Sequence, residues 1–122
     1  MKRTYETGVE GEARAEEYLR KQYGMICLEH RHRNRAGEID LILEDHGTIV
    51  FAEVKTRQSG EAGNGLLSVN TTKQKRIARA ATLFLLQHHW MNRAIRFDVI
   101  EIHGSEILYV PNAFQPGGMF YR

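Results

Sequence analysis

The chain has one cysteine, Cys27, so no internal disulfide can form, and the paired-cysteine spacing of a structural zinc site is missing too. No apolar run is long enough to span a bilayer, and no signal-peptide pattern follows Met1-Lys2-Arg3. These absences set aside disulfide-stapled, zinc-finger and membrane-spanning classes, and they point to the cytoplasm. No internal repeat and no dividing linker occurs either. What remains is a chain of 122 residues, 42% apolar and 26% charged, the composition of one soluble globular domain with a single core. The expected unit is therefore 1–122, with a tail from about 111 to 122.

The net charge of +2 is mild, but its distribution is not even. No acid lies between Glu61 and Asp98, where Lys73, Lys75, Arg76, Arg79, Arg93 and Arg96 fall. Arg31, Arg33 and Arg35 form a second basic group, and Glu6, Glu10, Glu12, Glu16 and Glu17 crowd the N-terminal stretch. Such segregation suits phosphate binding around a metal site, and it equally suits solvated helix faces.

The hydrophobic period orders the elements. A first helix is expected from about Thr7, where Thr7-x-x-Glu10 has the capping-box pattern, to a stop at Gly24. Residues 25–33 read as a strand, Asn34 to Gly37 as a turn, 38–43 as a strand, Asp45-His46-Gly47 as a hairpin turn and 48–55 as a strand. Residues 58–65 read as a glycine-rich loop. A second helix runs from about Thr72 to Trp90, with Ile77, Ala81, Phe84 and Leu85 on one stripe. Two strands follow, 95–102 and 107–110. The result is an α/β sandwich on a mixed sheet, in the order α-β-β-β-α-β-β.

Within this pattern, Asp40, Glu53 and Lys55 are out of place. They interrupt Gly37-Glu38-Ile39-Asp40-Leu41-Ile42-Leu43 and Ile49-Val50-Phe51-Ala52-Glu53-Val54-Lys55, runs apolar enough to be covered on both faces. An unpaired buried ion there costs roughly several kcal/mol. Residues two apart share a strand face, so Glu53 and Lys55 point the same way, as do Glu38 and Asp40. Joined by a short hairpin, Asp40, Glu53 and Lys55 would converge at one end of the sheet. Two carboxylates a few Å apart call for a cation, and Mg²⁺ prefers such a site with waters and phosphate oxygens completing its shell. Lys55 would then orient the attacking water or neutralise phosphate charge. The competing reading is a cross-strand salt bridge on a half-exposed sheet.

Helical projection adds Glu12, near the middle of the core-facing arc with Val9, Ala15, Glu16, Leu19 and Tyr23. It either reaches toward the metal or pairs with a base. Lys73 and Gln74 open the second helix in line with its apolar stripe, and Lys75, Arg76 and Arg79 lie away from it. A helix N-terminus attracts phosphate, though Thr71-x-x-Gln74 also fits a capping box. Arg57 either meets phosphate or is an ordinary strand-end arginine. For Asp98 a structural pairing is expected, and for His30, His32, His46, His88, His89 and His103 surface roles.

At Asp40 and Glu53-Val54-Lys55 the chain resembles the PD-(D/E)xK, or restriction-endonuclease-like, nuclease superfamily, and in size and layout the archaeal Holliday-junction resolvases. Across Gly8-x-x-Gly11-Glu12, Gly37-Glu38-Ile39-Asp40-Leu41-Ile42, Phe51-Ala52-Glu53-Val54-Lys55-Thr56-Arg57 and Arg96-Phe97-Asp98-Val99-Ile100 it resembles the YraN family of small bacterial proteins. The resemblance covers nearly the whole chain, although Ile39 rather than proline precedes Asp40. It implies a restriction-endonuclease-like sandwich, a central mixed sheet flanked by helices. It also implies a Mg²⁺- or Mn²⁺-dependent endonuclease, a hydrolase of DNA phosphodiesters acting on branched or damaged DNA. Asp40, Glu53, the Val54 carbonyl and Glu12 would bind the metal, with Lys55 assisting catalysis. Arg35, Arg57, Lys73, Gln74, Lys75, Arg76 and Arg79 are the candidate DNA contacts. A homodimer would present two sites to two strands. The alternative is a catalytically silent nucleic-acid-binding module with the nuclease fold. A third reading, a protein-binding adaptor, rests only on the aromatic tail of Phe114, Phe120 and Tyr121.

Overall fold

The structure is a computed structural model that describes residues 4–57 and 69–116. The expected loop 58–65 and the tail residues Gly117, Gly118, Phe120 and Tyr121 lie outside the described residues. The elements are α1 (Thr4–Tyr23), β1 (Ile26–Asn34), β2 (Gly37–Asp45), β3 (Thr48–Arg57), α2 (Thr71–Gln87), β4 (Ile95–His103) and β5 (Glu106–Phe114). Among the described residues, five strands form one sheet in the order β1-β2-β3-β4-β5. Only β3 and β4 run parallel; the other neighbours are antiparallel. A parallel pair needs a crossover, and α2 lies on that connection. The chain is an α/β sandwich with a mixed sheet, in the expected α-β-β-β-α-β-β order.

Each sheet face has its own core. On one face, Ala15 and Leu19 of α1 pack with Leu41, Leu43, Val50, Ala52, Ile100 and Ile102. On the other, Ile77, Ala81, Phe84 and Leu85 of α2 pack with Ile39, Ile42, Ile49, Phe51, Phe97 and Val99. Covering both faces explains why the central strands are almost continuously apolar. Phe51 sits between Phe84 (centroids 5.9 Å apart) and Phe97 (5.6 Å), and burying such a side chain contributes roughly 1.5–3 kcal/mol.

Several boundaries differ from expectation. Helix α1 begins at Thr4, which leaves Thr7 inside the helix rather than at its cap. Its end falls where expected: Gly24 is left-handed (φ 70°), and its N–H reaches the Arg20 carbonyl at 3.0 Å. Helix α2 stops at Gln87, short of Trp90. There His89 turns left-handed (φ 60°) and Trp90 folds back to 5.9 Å from the Phe84 ring. At its start Asn70 is the N-cap, its side chain accepting from the Lys73 N–H at 2.9 Å, so the expected Thr71/Gln74 box does not form.

Strand β5 continues to Phe114, well past the expected end at 110. The extension passes through a bulge, since Val110 pairs with Val99 and Phe114 with Phe97. Pro111 is tolerated because β5 is an edge strand and the bulge removes the need for its N–H. The buried Asp98 carboxylate fills the gap, accepting from the Asn112 N–H (2.8 Å), the Tyr109 hydroxyl (2.6 Å) and Arg96 Nε (3.1 Å). Asp98 thus has the structural pairing expected of it. Phe114 stacks on Phe97 at 5.2 Å, which makes it part of the core rather than an adaptor surface. Among the described residues no helix is long and apolar enough to cross a membrane.

Candidate metal and nucleic-acid site

The site forms where the sheet forks. The β2–β3 ladder runs from Asp45/Thr48 to Leu41/Ala52 and ends there, while β3 continues alongside β4 as far as Arg57/His103. Asp40 and Glu53 occupy the next step, where the strands part. Parting strands leave backbone groups without ladder partners, and these need other ones. The Asp40 carboxylate supplies one, its Oδ2 accepting from the Val54 N–H at 2.8 Å. The side-chain alternation of β2 also breaks here. Ile39 and Ile42 both face the α2 core, while Leu41 and Leu43 face α1. Glu38 and Asp40 therefore do not act as a pair; Glu38 meets Arg33 at 3.3 Å in an exposed contact.

Glu53 and Lys55 point to the α2 side. Glu53 Oε2 lies 3.2 Å from Lys55 Nζ and 3.6 Å from Lys73 Nζ, which arrives from the first turn of α2. Burial pushes the Asp40 carboxyl up to about 7, with the neighbouring charges of Glu53 and Glu12 adding to the rise. Lys55 is pulled down by burial, but its contact with Lys73 and the charges of Glu53 and Asp40 outweigh this and leave it raised. Lys73 is lowered by its contact with Lys55 and by burial.

Glu12 approaches from the α1 side. Only 9% exposed, it accepts from Arg31 Nε at 2.8 Å, so it has a basic partner. Burial raises its carboxyl despite that partner. The preceding Gly11 lets α1 come close to β3: a Cβ there would collide with Thr56 Oγ1. The Gly11-Glu12 pair is thus one device, a close approach followed by an acid.

The basic candidates spread along the turn between β1 and β2 and along α2. Arg35 and Arg79 line one open cavity of about 400 Å³ with Ala36, Thr82 and Leu83. Arg76 lies over the same turn, its Cγ 3.1 Å from where a Cβ on Gly37 would stand, and Gly37 has φ 156°. Lys75 is exposed. Gln74 donates from Nε2 to the Val69 carbonyl at 3.0 Å, which commits its amide nitrogen to the helix entry. Arg57 is half-buried, and among the described residues its Nε has no hydrogen-bond partner.

One constellation was not legible in the sequence. Glu16, Cys27 and His30 place their ligand atoms within 4.8 Å of one another. Among the described residues this is the trio that closes so tightly; Asp40, Glu53 and Glu12 do not. Cys27 and His30 are three apart, a spacing that puts strand residues on opposite faces. A bulge between Cys27 and Glu29 inserts one residue and turns both toward α1. His32 also departs from the expected surface role: it is buried, bonds Glu29 Oε2 at 2.6 Å and lies 5.1 Å from the Phe84 ring.

Helix order, mixed sheet and forked strands define a nuclease-like α/β sandwich. Residues 11–102 match the family described as "Uncharacterised protein family UPF0102", and the chain belongs to that family, the one anticipated from its motifs. It is similar to a UPF0102 protein of Alkalilimnicola ehrlichii, 44% identical over 93% of this chain and 90% of the relative. A UPF0102 protein of Persephonella marina is 41% identical over 88% of this chain and 91% of its own length. One of Geobacter metallireducens is 43% identical over the same shares.

Proposed function

We propose that this protein is a divalent-metal-dependent endonuclease that hydrolyses DNA phosphodiesters, with branched or damaged DNA as its substrate class. The observation that carries this reading is the fork: Asp40 beside Glu53, with two lysines on Glu53. An ordinary salt bridge uses one base per acid, and it would not leave the neighbouring carboxyl at about 7. That perturbation fits a hard divalent cation, Mg²⁺ or Mn²⁺, whose donors are carboxylate and carbonyl oxygens. Asp40, Glu53 and the Val54 carbonyl are its proposed ligands, and Glu12 adds negative charge from α1. When bound, the ion supplies charge neutralisation and a more acidic water.

The protein's own groups do the rest. Lys55 orients the attacking water and offsets charge growing on the phosphate. Lys73 shares that charge and moves between Glu53 and the substrate. Water forms the new P–O bond and gives up a proton to solvent, the P–O bond to the sugar breaks with its electron pair on the sugar oxygen, and that oxygen takes a proton from solvent. Arg35, Arg76 and Arg79, with Lys75, hold the flanking backbone through charge. Arg57, whose Nε has no acceptor among the described residues, adds a further cation for the phosphate backbone. Gln74 contributes through its remaining amide oxygen. Two such chains as a homodimer would address two strands.

The second reading, a silent nucleic-acid-binding module, is supported by the closure of both ammonium groups on Glu53. Linear, nicked and four-way DNA with and without Mn²⁺ separates the two. Cutting by wild type that the Asp40→Asn/Glu53→Gln variant loses supports the enzyme. Equal behaviour of the two proteins on every substrate rules it out.

A further inference from the structure

We propose a second metal site, for a borderline-soft transition ion of the Zn²⁺ class, formed by Glu16, Cys27 and His30 where α1 crosses the edge strand β1. It uses none of the residues of the fork and does not depend on that reading. His30 Nε2 lies 2.6 Å from Glu16 Oε1 and 3.6 Å from Cys27 Sγ. A four-coordinate Zn²⁺ holds nitrogen and oxygen at about 2.0–2.1 Å and sulfur at about 2.3 Å, so its ligand atoms stand about 3.3–3.6 Å apart. The Cys27–His30 edge already has that length. The Glu16–His30 edge has hydrogen-bond length and must open by roughly 0.7 Å, a small rotation for the exposed imidazole.

The ligand chemistry selects the ion. Thiolate and imidazole favour Zn²⁺ or Co²⁺ over Mg²⁺, whereas the all-oxygen fork favours the reverse. Charge also closes: one thiolate, one carboxylate and a neutral imidazole balance a divalent cation. Binding breaks the Cys27 S–H bond, the proton leaves to solvent, and the sulfur lone pair forms the metal bond. The His30 ring keeps its neutral charge by carrying its proton on Nδ1. Burial and the Glu16 charge push the free thiol up to about 11, so without an ion it stays protonated. The three groups come from α1 and from both sides of the β1 bulge, so an ion here would staple the edge strand to the helix. Water would take the fourth position.

The probe is Co²⁺, titrated into tag-free, reduced, full-length protein. The expected result is a thiolate-to-cobalt charge-transfer band that saturates at one equivalent of Co²⁺ per chain for this site, whatever further Co²⁺ the fork takes up without a band, and that Zn²⁺ displaces. The band reports this site alone, because Cys27 is the chain's single thiol. Cys27→Ser should abolish it, and His30→Ala should weaken Co²⁺ binding at least about tenfold. The Asp40→Asn/Glu53→Gln variant should keep the band, which separates this site from the fork. No band in wild type, a band that survives Cys27→Ser, wild-type Co²⁺ affinity in His30→Ala, or a band lost in the fork variant would each overturn the proposal.

Discussion

Asp40 is tied to Val54 across the fork, its Oδ2 accepting the Val54 N–H at 2.8 Å. The bond holds an acid against Glu53 at the point where β2 and β3 separate. One carboxylate oxygen is spent on the backbone, which fixes the direction of the other. The fork therefore explains both why an acid is tolerated beside the apolar core and why it stays under electrostatic stress.

That stress makes stability pH-dependent without metal. The Asp40 carboxyl stands at about 7 in the folded chain against 3.8 as its ordinary value, so the folded state holds the proton more tightly. Its contribution is fully present below about pH 4 and lost as pH rises through about 7. In EDTA, wild type should therefore lose stability over that window. Asp40→Asn should remove this part of the slope and be more stable by roughly 2 kcal/mol at pH 8, after discounting for residual solvent contact. Thermal melts of both proteins from pH 4 to 8 check this. Adding Mn²⁺ at pH 8 should raise the wild-type Tm and leave the variant's nearly unchanged.

Lys55→Met should cut cleavage by about 100-fold or more, the scale of losing one charge-stabilising group. DNA affinity should change much less, because Lys73 still stands on Glu53. Single-turnover cleavage together with a binding titration separates the two effects. A parallel loss of affinity and rate would place Lys55 in substrate binding instead.

Replacing Lys75, Arg76 and Arg79 with Ala should weaken binding to all DNA sequences alike. The slope of log affinity against log salt should fall by about 0.9 for each phosphate contact removed. Fluorescence anisotropy at several salt concentrations reads this directly. An unchanged slope would mean the α2 bases face solvent only.

Gly11→Ala should destabilise the fold by about 1–3 kcal/mol, because the new Cβ meets Thr56 Oγ1 and pushes α1 from β3. The paired change Gly11→Ala/Thr56→Gly should recover part of that loss. Urea unfolding of the single and double variants tests the contact.

The contrast between Asp40 and Cys27 shows what was legible beforehand. The hairpin at Asp45-His46-Gly47 and the two-residue alternation of β3 carry Glu53 and Lys55 to one face, so local period and turn chemistry suffice there. Gly24 likewise marks the end of α1 through its left-handed geometry. The Glu16, Cys27 and His30 cluster depends on a bulge and on where α1 crosses β1, and neither has a local signature. The extension of β5 beyond Pro111 was hidden for a similar reason. It depends on the Asp98 carboxylate, remote in sequence, filling the bulge. The sequence offers two good caps for α2, Asn70 and Thr71, and only the extended backbone at Asn70 decides between them.

The central claim is that the fork holds a hard divalent ion. Anomalous diffraction from crystals soaked in Mn²⁺ tests it most directly. The account predicts one strong peak between the Asp40 and Glu53 carboxylates, with Lys73 drawn away from Glu53. Crystals that show no peak there, with Lys55 and Lys73 still closed on Glu53, would contradict it.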